Sequence, residues 1–95
     1  MLFVALFEND MTKAQVRKDL MPKHKEFLKA HAKQVLTAGA LRVDPEADSV
    51  GSMWIFEADT KAEVEKICRA DPFWPTRTDC KVMVWTKAFA EKTLV

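Results

Sequence analysis

Apolar and polar positions along the chain alternate between two periods. LFVALFEN (residues 2–9) is apolar on both alternate sets, Leu2, Val4 and Leu6 on one side and Phe3, Ala5 and Phe7 on the other. Such a run predicts a strand buried on both faces. From about Thr12 to Lys33 the period changes: Val16, Leu20, Phe27 and Leu28, continuing to Val35, recur at helical spacing. Asp10 or Thr12 is placed to cap this helix. Pro22 lacks a backbone donor, so the helix should kink there or restart with Pro22 in its first turn. VLTAGALRV predicts a second strand, with Gly39 marking a bulge or a close approach. DPEADSVG is a loop of turn formers. SMWIFEAD predicts a third strand, apolar through Met53 and Ile55 on one face and Trp54 and Phe56 on the other. TKAE is a Thr-x-x-Glu capping box that opens a second helix, with Val64, Ile67 and Cys68 on one stripe. Pro72 ends that helix. CKVMVWTKAF predicts the last strand.

The order β-α-β-β-α-β is that of the ferredoxin-like split βαβ arrangement, an α+β fold with a four-stranded antiparallel sheet and both helices on one face. Residues 1–95 are enough for one domain and too few for two. Two helices cover only one side of a sheet whose strands are apolar on both. The uncovered side is expected to bury itself in a homodimer, or a higher oligomer built from it, with Phe3, Phe7, Trp54 and Phe56 supplying the surplus apolar surface.

Composition narrows the class. Hydrophobic residues are 48% and charged residues 31% of the chain, which marks a folded sequence and not a disordered one. The net charge is +1, with Lys and Arg spread along the chain and no basic stripe for nucleic acid. LFVALF and MWIF fall far short of the ~20 apolar residues that span a bilayer, so no membrane partner is expected. LFVALF follows Met1 with no basic segment and then meets Glu8 and Asp10, so it reads as a strand and not a leader. A cytoplasmic protein is expected. Cys68 and Cys80 have no metal or redox spacing and read as reduced, half-buried thiols.

The candidate chemistry lies in one helix and one turn. His24 and His31 both fall on the apolar stripe centred on Phe27 and Leu28. They are two turns apart, roughly 10 Å along the axis, too far for one metal ion to bridge. A metal site is not expected, and each histidine alone reads first as a structural residue. ADPFWP (residues 70–75) sets a carboxylate beside two aromatic rings. Asp71 stands at i+4 from Ile67 and i+3 from Cys68, so it projects from the sheet-facing side of its helix. There it either caps the turn before Pro72 or meets a histidine from the neighbouring helix. A carboxylate paired with imidazole fixes the tautomer and leaves the second ring nitrogen to move a proton. Phe73 and Trp74 either line a pocket mouth or pack against the core or a partner. Ser52 could add a hydroxyl to the same cleft and Arg77 a cation, although residues of both types near turns are ordinarily solvated.

Across nearly the whole chain the landmarks MPKHKEFL, LTAGAL, GSMWIFEAD, ADPF and MVWTKAF, in that order and spacing, resemble the small YciI-like proteins with a YCII-related domain. The resemblance implies a dimeric α+β barrel similar in fold to muconolactone isomerase. It also implies a catalytic His–Asp pair that maps onto His24 and Asp71. Some relatives are lyase- or dehydrochlorinase-like enzymes acting on ring compounds, while most have no assigned activity. Two positions depart from the family pattern. Met21 stands where the family often carries Arg, which removes a cation suited to an anionic substrate. WPTRTD replaces a short Ala-Gly turn, and its Trp74 implies a flatter, more apolar ligand.

Three functions compete on these residues. The first is an enzyme in which His24, supported by Asp71, moves a proton on a small cyclic or aromatic metabolite, with Ser52, Phe73 and Trp74 binding it. No glycine-rich loop or ligand cluster implies a cofactor. The second is a dimeric barrel that binds a metabolite or a protein without turnover. The third is a monooxygenase or haem-handling barrel of the same architecture, with His24 or His31 as an axial ligand.

Overall fold

The computed structural model describes residues 1–92. In chain order it contains β1 (Leu2–Asn9), α1 (Ala14–Ala30), β2 (Val35–Leu41), β3 (Gly51–Glu57), α2 (Lys61–Ala70) and β4 (Arg77–Val84). Single 3-10 turns, Met11–Lys13 and Trp74–Thr76, precede α1 and β4. The strands form one sheet in the order β2-β3-β1-β4, with every neighbouring pair antiparallel. This is the ferredoxin-like α+β arrangement expected from the order of elements.

Local chemistry explains where the boundaries differ from expectation. Asp10 Oδ1 accepts hydrogen bonds from the Thr12 N–H at 3.0 Å and from its hydroxyl at 2.6 Å. This cap opens the 3-10 turn, so α1 starts at Ala14. Pro22 neither breaks nor restarts α1. It is exposed, and the carbonyl of Lys18 that loses its donor can turn to water. The inward stripe of α1 is Arg17, Leu20, His24, Phe27, Leu28 and His31, while Val16 is exposed. β4 begins at Arg77, three residues before the expected Cys80, which takes Arg77 from the turn into the sheet.

Register decides which apolar set faces the helices. Phe3 lies opposite Phe56, Ala5 opposite Trp54 and Phe7 opposite Ser52. These side chains share the helix-covered face with Val35 and Val82, beneath Val64, Ile67 and Cys68 of α2 and Phe27 and Leu28 of α1. Phe3, Phe7, Trp54 and Phe56 are therefore core residues, and the expectation that they line the helix-free face is corrected. The two sets of β1 are equally apolar, so alternation alone carries no sign for which one the helices take. The helix-free face carries Leu2, Val4, Leu6 and Ile55, flanked by Leu41, Met53 and Met83 at 39–43% exposure.

The two cysteines, twelve residues apart in sequence, meet across the α2–β4 packing. Cys68 is buried in the core, Cys80 is half-buried against it, and both are free. Their thiols share a hydrogen bond that raises Cys68, with burial adding to the rise. The same bond lowers Cys80, against the opposing effect of its own burial.

Gly51, and not Gly39, is the close-approach glycine. A Cβ at Gly51 would stand 2.0 Å from the carbonyl oxygen of Phe7, while one at Gly39 meets nothing within 4 Å. The irregularity in β2 lies between Val35 and Thr37. Gly51→Ala is expected to cost about 2–3 kcal/mol by overpacking against backbone that cannot swing aside. Gly39→Ala should be neutral or slightly stabilising, because it removes unfolded-state freedom without a clash. Urea midpoints of the two variants measure this, and equal effects would contradict the β1–β3 spacing.

Candidate active site

The turn after α2 carries the carboxylate at the centre of the site. Thr60 caps α2 by accepting from the Glu63 N–H at 3.2 Å, and the helix ends where Pro72 forces the preceding residue out of helical conformation. Asp71 is accordingly extended, with φ −65° and ψ 136°. The turn is closed by the Trp74 N–H donating to the Asp71 carbonyl at 2.9 Å and by the Thr76 hydroxyl donating to the Phe73 carbonyl at 2.6 Å. This geometry drives the Asp71 side chain under α1, where it is wholly buried.

Both carboxylate oxygens are engaged there. His24 Nδ1 lies 2.8 Å from Oδ1, and Arg77 Nη1 donates to Oδ2 at 2.6 Å. A carboxylate accepts, so Nδ1 carries the hydrogen and Nε2 of a neutral His24 keeps its lone pair. The imidazole stacks on Phe73 at 4.0 Å between ring centres and 7° between planes, with Trp54 at 5.7 Å. The Arg77 guanidinium sits 3.9 Å from the centre of the Phe7 ring, close to Trp54 and Phe73 as well. Burial pushes the Arg77 pKa below its ordinary value, and the Asp71 charge opposes that push. Arg77 Nε has no hydrogen-bond partner among the described residues. Arg77 thus backs the carboxylate from inside the protein and does not present a cation to a ligand.

A cleft of about 370 Å³ opens between α1, the β2–β3 half of the sheet and the β2–β3 loop. His24, Phe73, Trp54 and Leu28 line its inner part, and Ser52 and Ser49 line its β3 side. Of the residues expected to contact a ligand, Ser52 and Phe73 reach the cleft. Trp74 does not: it is half-buried against the core. The flatter ligand inferred from Trp74 loses its basis. Met21 does line the cleft, yet so do Arg17, Lys18, Lys25 and Arg42, with Asp48 the one carboxylate beside them. Arg17 went unread in the sequence, although it lies two helical turns before His24 on the same stripe. His31 is not part of the cleft; its Nδ1–H donates to the Phe27 carbonyl at 2.9 Å and its ring lies 4.1 Å from that of Phe27.

Residues 1–86 match the family model of the YCII-related domain. The chain belongs to the YCII-related family. Among solved structures it is similar to a 5-chloro-2-hydroxyhydroquinone dehydrochlorinase from Burkholderia phenoliruptrix AC1100, in complex with 2,5-dihydroxybenzoquinone. That likeness has 26% identity and a TM-score of 0.79 over 90% of this chain and 94% of the other. An antibiotic biosynthesis monooxygenase (16% identity, TM-score 0.55, 93% of this chain and 99% of the other) shares the fold alone. So does protein Atu4242 from Agrobacterium tumefaciens (13%, 0.56, 93% and 94%). None of the curated proteins compared matches significantly. The YCII-related frame accounts for the sheet order and for two helices on one face. The monooxygenase likeness carries no chemistry to His24 or His31.

The double engagement of Asp71 changes what its substitution should do. Asp71→Asn removes the counter-charge of a buried guanidinium, and is expected to cost about 3–5 kcal/mol in urea denaturation. The double variant Asp71→Asn/Arg77→Met should lose less than the sum of the single losses, by roughly 1 kcal/mol or more, because the orphaned charge is gone. Strictly additive losses would mean that Asp71 and Arg77 are not coupled.

Proposed function

We propose that this protein is an acid/base enzyme of the lyase, isomerase or dehydrochlorinase type acting on a small cyclic or aromatic metabolite. The observation that carries this reading is the buried 2.8 Å contact between His24 Nδ1 and Asp71 in the wall of a cleft, which leaves Nε2 as the free nitrogen. Nε2 takes a proton from an acidic ring C–H or O–H, and the electron pair of that bond moves into the ring. If a C–H is deprotonated beside a saturated carbon that bears chlorine, the pair forms the new C=C bond, the C–Cl bond breaks, chloride leaves, and the imidazolium passes its proton to water. If not, the proton returns at another atom and the product is an isomer. The Asp71 carboxylate holds the imidazole orientation and stabilises the imidazolium that forms. Phe73 and Trp54 give the ring an apolar bed, and Ser52 offers a hydroxyl to a ring oxygen. Likeness to a dehydrochlorinase over nearly the full chain supports this class of reaction.

Self-association belongs to the same reading. Leu2, Val4 and Leu6 form a half-buried apolar strip on the helix-free face beside Ile55, which is already buried, and Leu41, Met53 and Met83 are exposed around it. The resemblance implies a dimeric α+β barrel, and pairing of two such faces would close one, so the occupant in this reading is a second copy of the chain. Residues 1–95 are read as one domain in this assembly, acting in the cytoplasm.

Incubation with 5-chloro-2-hydroxyhydroquinone and a set of chlorine-free cyclic enols in D2O, read by chloride release and by NMR of ring C–H exchange, tests the chemistry. Turnover of at least one compound is expected, falling roughly 100-fold or more in His24→Ala. No reaction with any compound would favour a barrel that only binds, and turnover unchanged in His24→Ala would reject His24 as the base. Light scattering of the wild type should give a dimer at micromolar concentration, and Met53→Glu, which puts a charge on the helix-free face, should give a folded monomer. A monomeric wild type would reject the pairing of faces.

A further inference from the structure

We propose that the ligand of the cleft is a monocyclic organic anion whose acidic group is held by Arg17; this rests on the cleft beside His24 being the substrate site. Arg17 is 8% exposed, so its charge has largely left water. No carboxylate forms an ion pair with it among the described residues. Its Nη1 donates to the carbonyls of Asp10 at 2.8 Å and Thr76 at 3.2 Å, which fixes the guanidinium without neutralising it. The half-buried Asp10 spends its carboxylate hydrogen bonds on Thr12, which lower its pKa with help from the nearby charge of Arg17, and it forms no ion pair with the guanidinium. Nε and Nη2 have no protein partner among the described residues and are not sealed from solvent, and Arg17 lines the cleft.

A buried cation with no carboxylate in direct contact is costly, and it is relieved when a charged acceptor arrives. Arg77, the other buried guanidinium, already has its carboxylate. Arg17 has carbonyls only, and its planar fork suits a carboxylate or an acidic enolate. The rim strengthens the same sign, because Lys18, Lys25 and Arg42 also line the cleft against the single carboxylate of Asp48.

Position then sets the size of the ligand. Arg17 and His24 are two turns apart on one face of α1, roughly 10 Å along the axis before side-chain reach is counted. One six-membered ring with an acidic substituent fills that interval, its charged end at Arg17 and its far ring atoms on Phe73 and Trp54 near His24 Nε2. A cleft of about 370 Å³ admits such a molecule. Neutral hydrocarbons leave Arg17 unpaired, and cations are repelled.

Benzoate and benzamide share ring and shape and differ in charge, which makes them suitable probes. Calorimetric titration of the wild-type protein is expected to show benzoate binding roughly 10- to 100-fold more tightly than benzamide, the range of one hydrogen-bonded charge in a desolvated site. Arg17→Gln should abolish that preference. Because Nη1 also ties two loops together, its fold is checked by circular dichroism. If Arg17→Gln does not fold, Arg17→Lys should fold and lower the preference at least several-fold, since an ammonium lacks the fork. Equal affinities in the wild type would overturn the proposal. So would a preference that survives both substitutions, which would assign it to the exposed rim cations. Anion preference with no turnover of any compound would reject the enzyme reading alone, and turnover without anion preference would reject this proposal alone.

Discussion

A carboxylate with no access to water must find its partners inside the protein, and Asp71 finds two. Nδ1 of His24 stands on one oxygen and Nη1 of Arg77 on the other. The three groups come from α1, the α2–β4 turn and β4, so one side chain joins three elements distant in sequence. Satisfying it requires α1 to lie across the sheet with His24 pointing down. It also requires the turn to send Asp71 inward, and β4 to start early enough that Arg77 lies within the sheet. A buried ion pair is weak evidence for stability, since desolvating both partners can cost more than their attraction returns. It is better evidence for specificity: a slip of α1 or β4 would strand at least one charge.

The aromatic residues serve this charged line and the cleft together. Phe7, Trp54 and Phe73 surround the Arg77 guanidinium, and Phe73 and Trp54 also bracket the His24 ring. The low polarity they create strengthens every interaction of Asp71 and keeps competing water from its oxygens. On the cleft side the same rings form an apolar wall next to a nitrogen that can take a proton. The site combines a fixed, dry inner half with a cationic outer half, and the division runs along α1 from His24 to Arg17.

The sheet shows a second constraint, the contact of β3 with β1. Gly51 passes so close to the Phe7 carbonyl that no side chain fits. This fixes the start of β3 beside the end of β1 and brings Ser49 and Ser52 to the cleft. It also anchors the register that puts Phe3, Phe7, Trp54 and Phe56 beneath the helices.

By itself the sequence determined the order of elements and the fold class, from signals local in the chain: a change of period from two to 3.6, a Thr-x-x-Glu box, and a proline that ends a helix just after an acid. The family, and Asp71 as a partner for His24 and not merely a cap, entered through the resemblance of ordered landmarks. Tertiary structure decided everything that depends on which of two equivalent surfaces is covered or on what lies across a gap. β1 and β3 are apolar on both faces, so only the packing of α1 and α2 could choose between them. Arg77 reads as a surface cation until the register of β4 places it behind Asp71. Trp74 and Phe73 are neighbours in a turn that separates them, one to the core and one to the cleft. Arg17 looks like one more charge on a basic helix, and its burial follows only from the 3-10 turns at Asp10 and Thr76 folding over it. Periodicity records the spacing of residues along one element, whereas burial of a charge is a property of several elements at once.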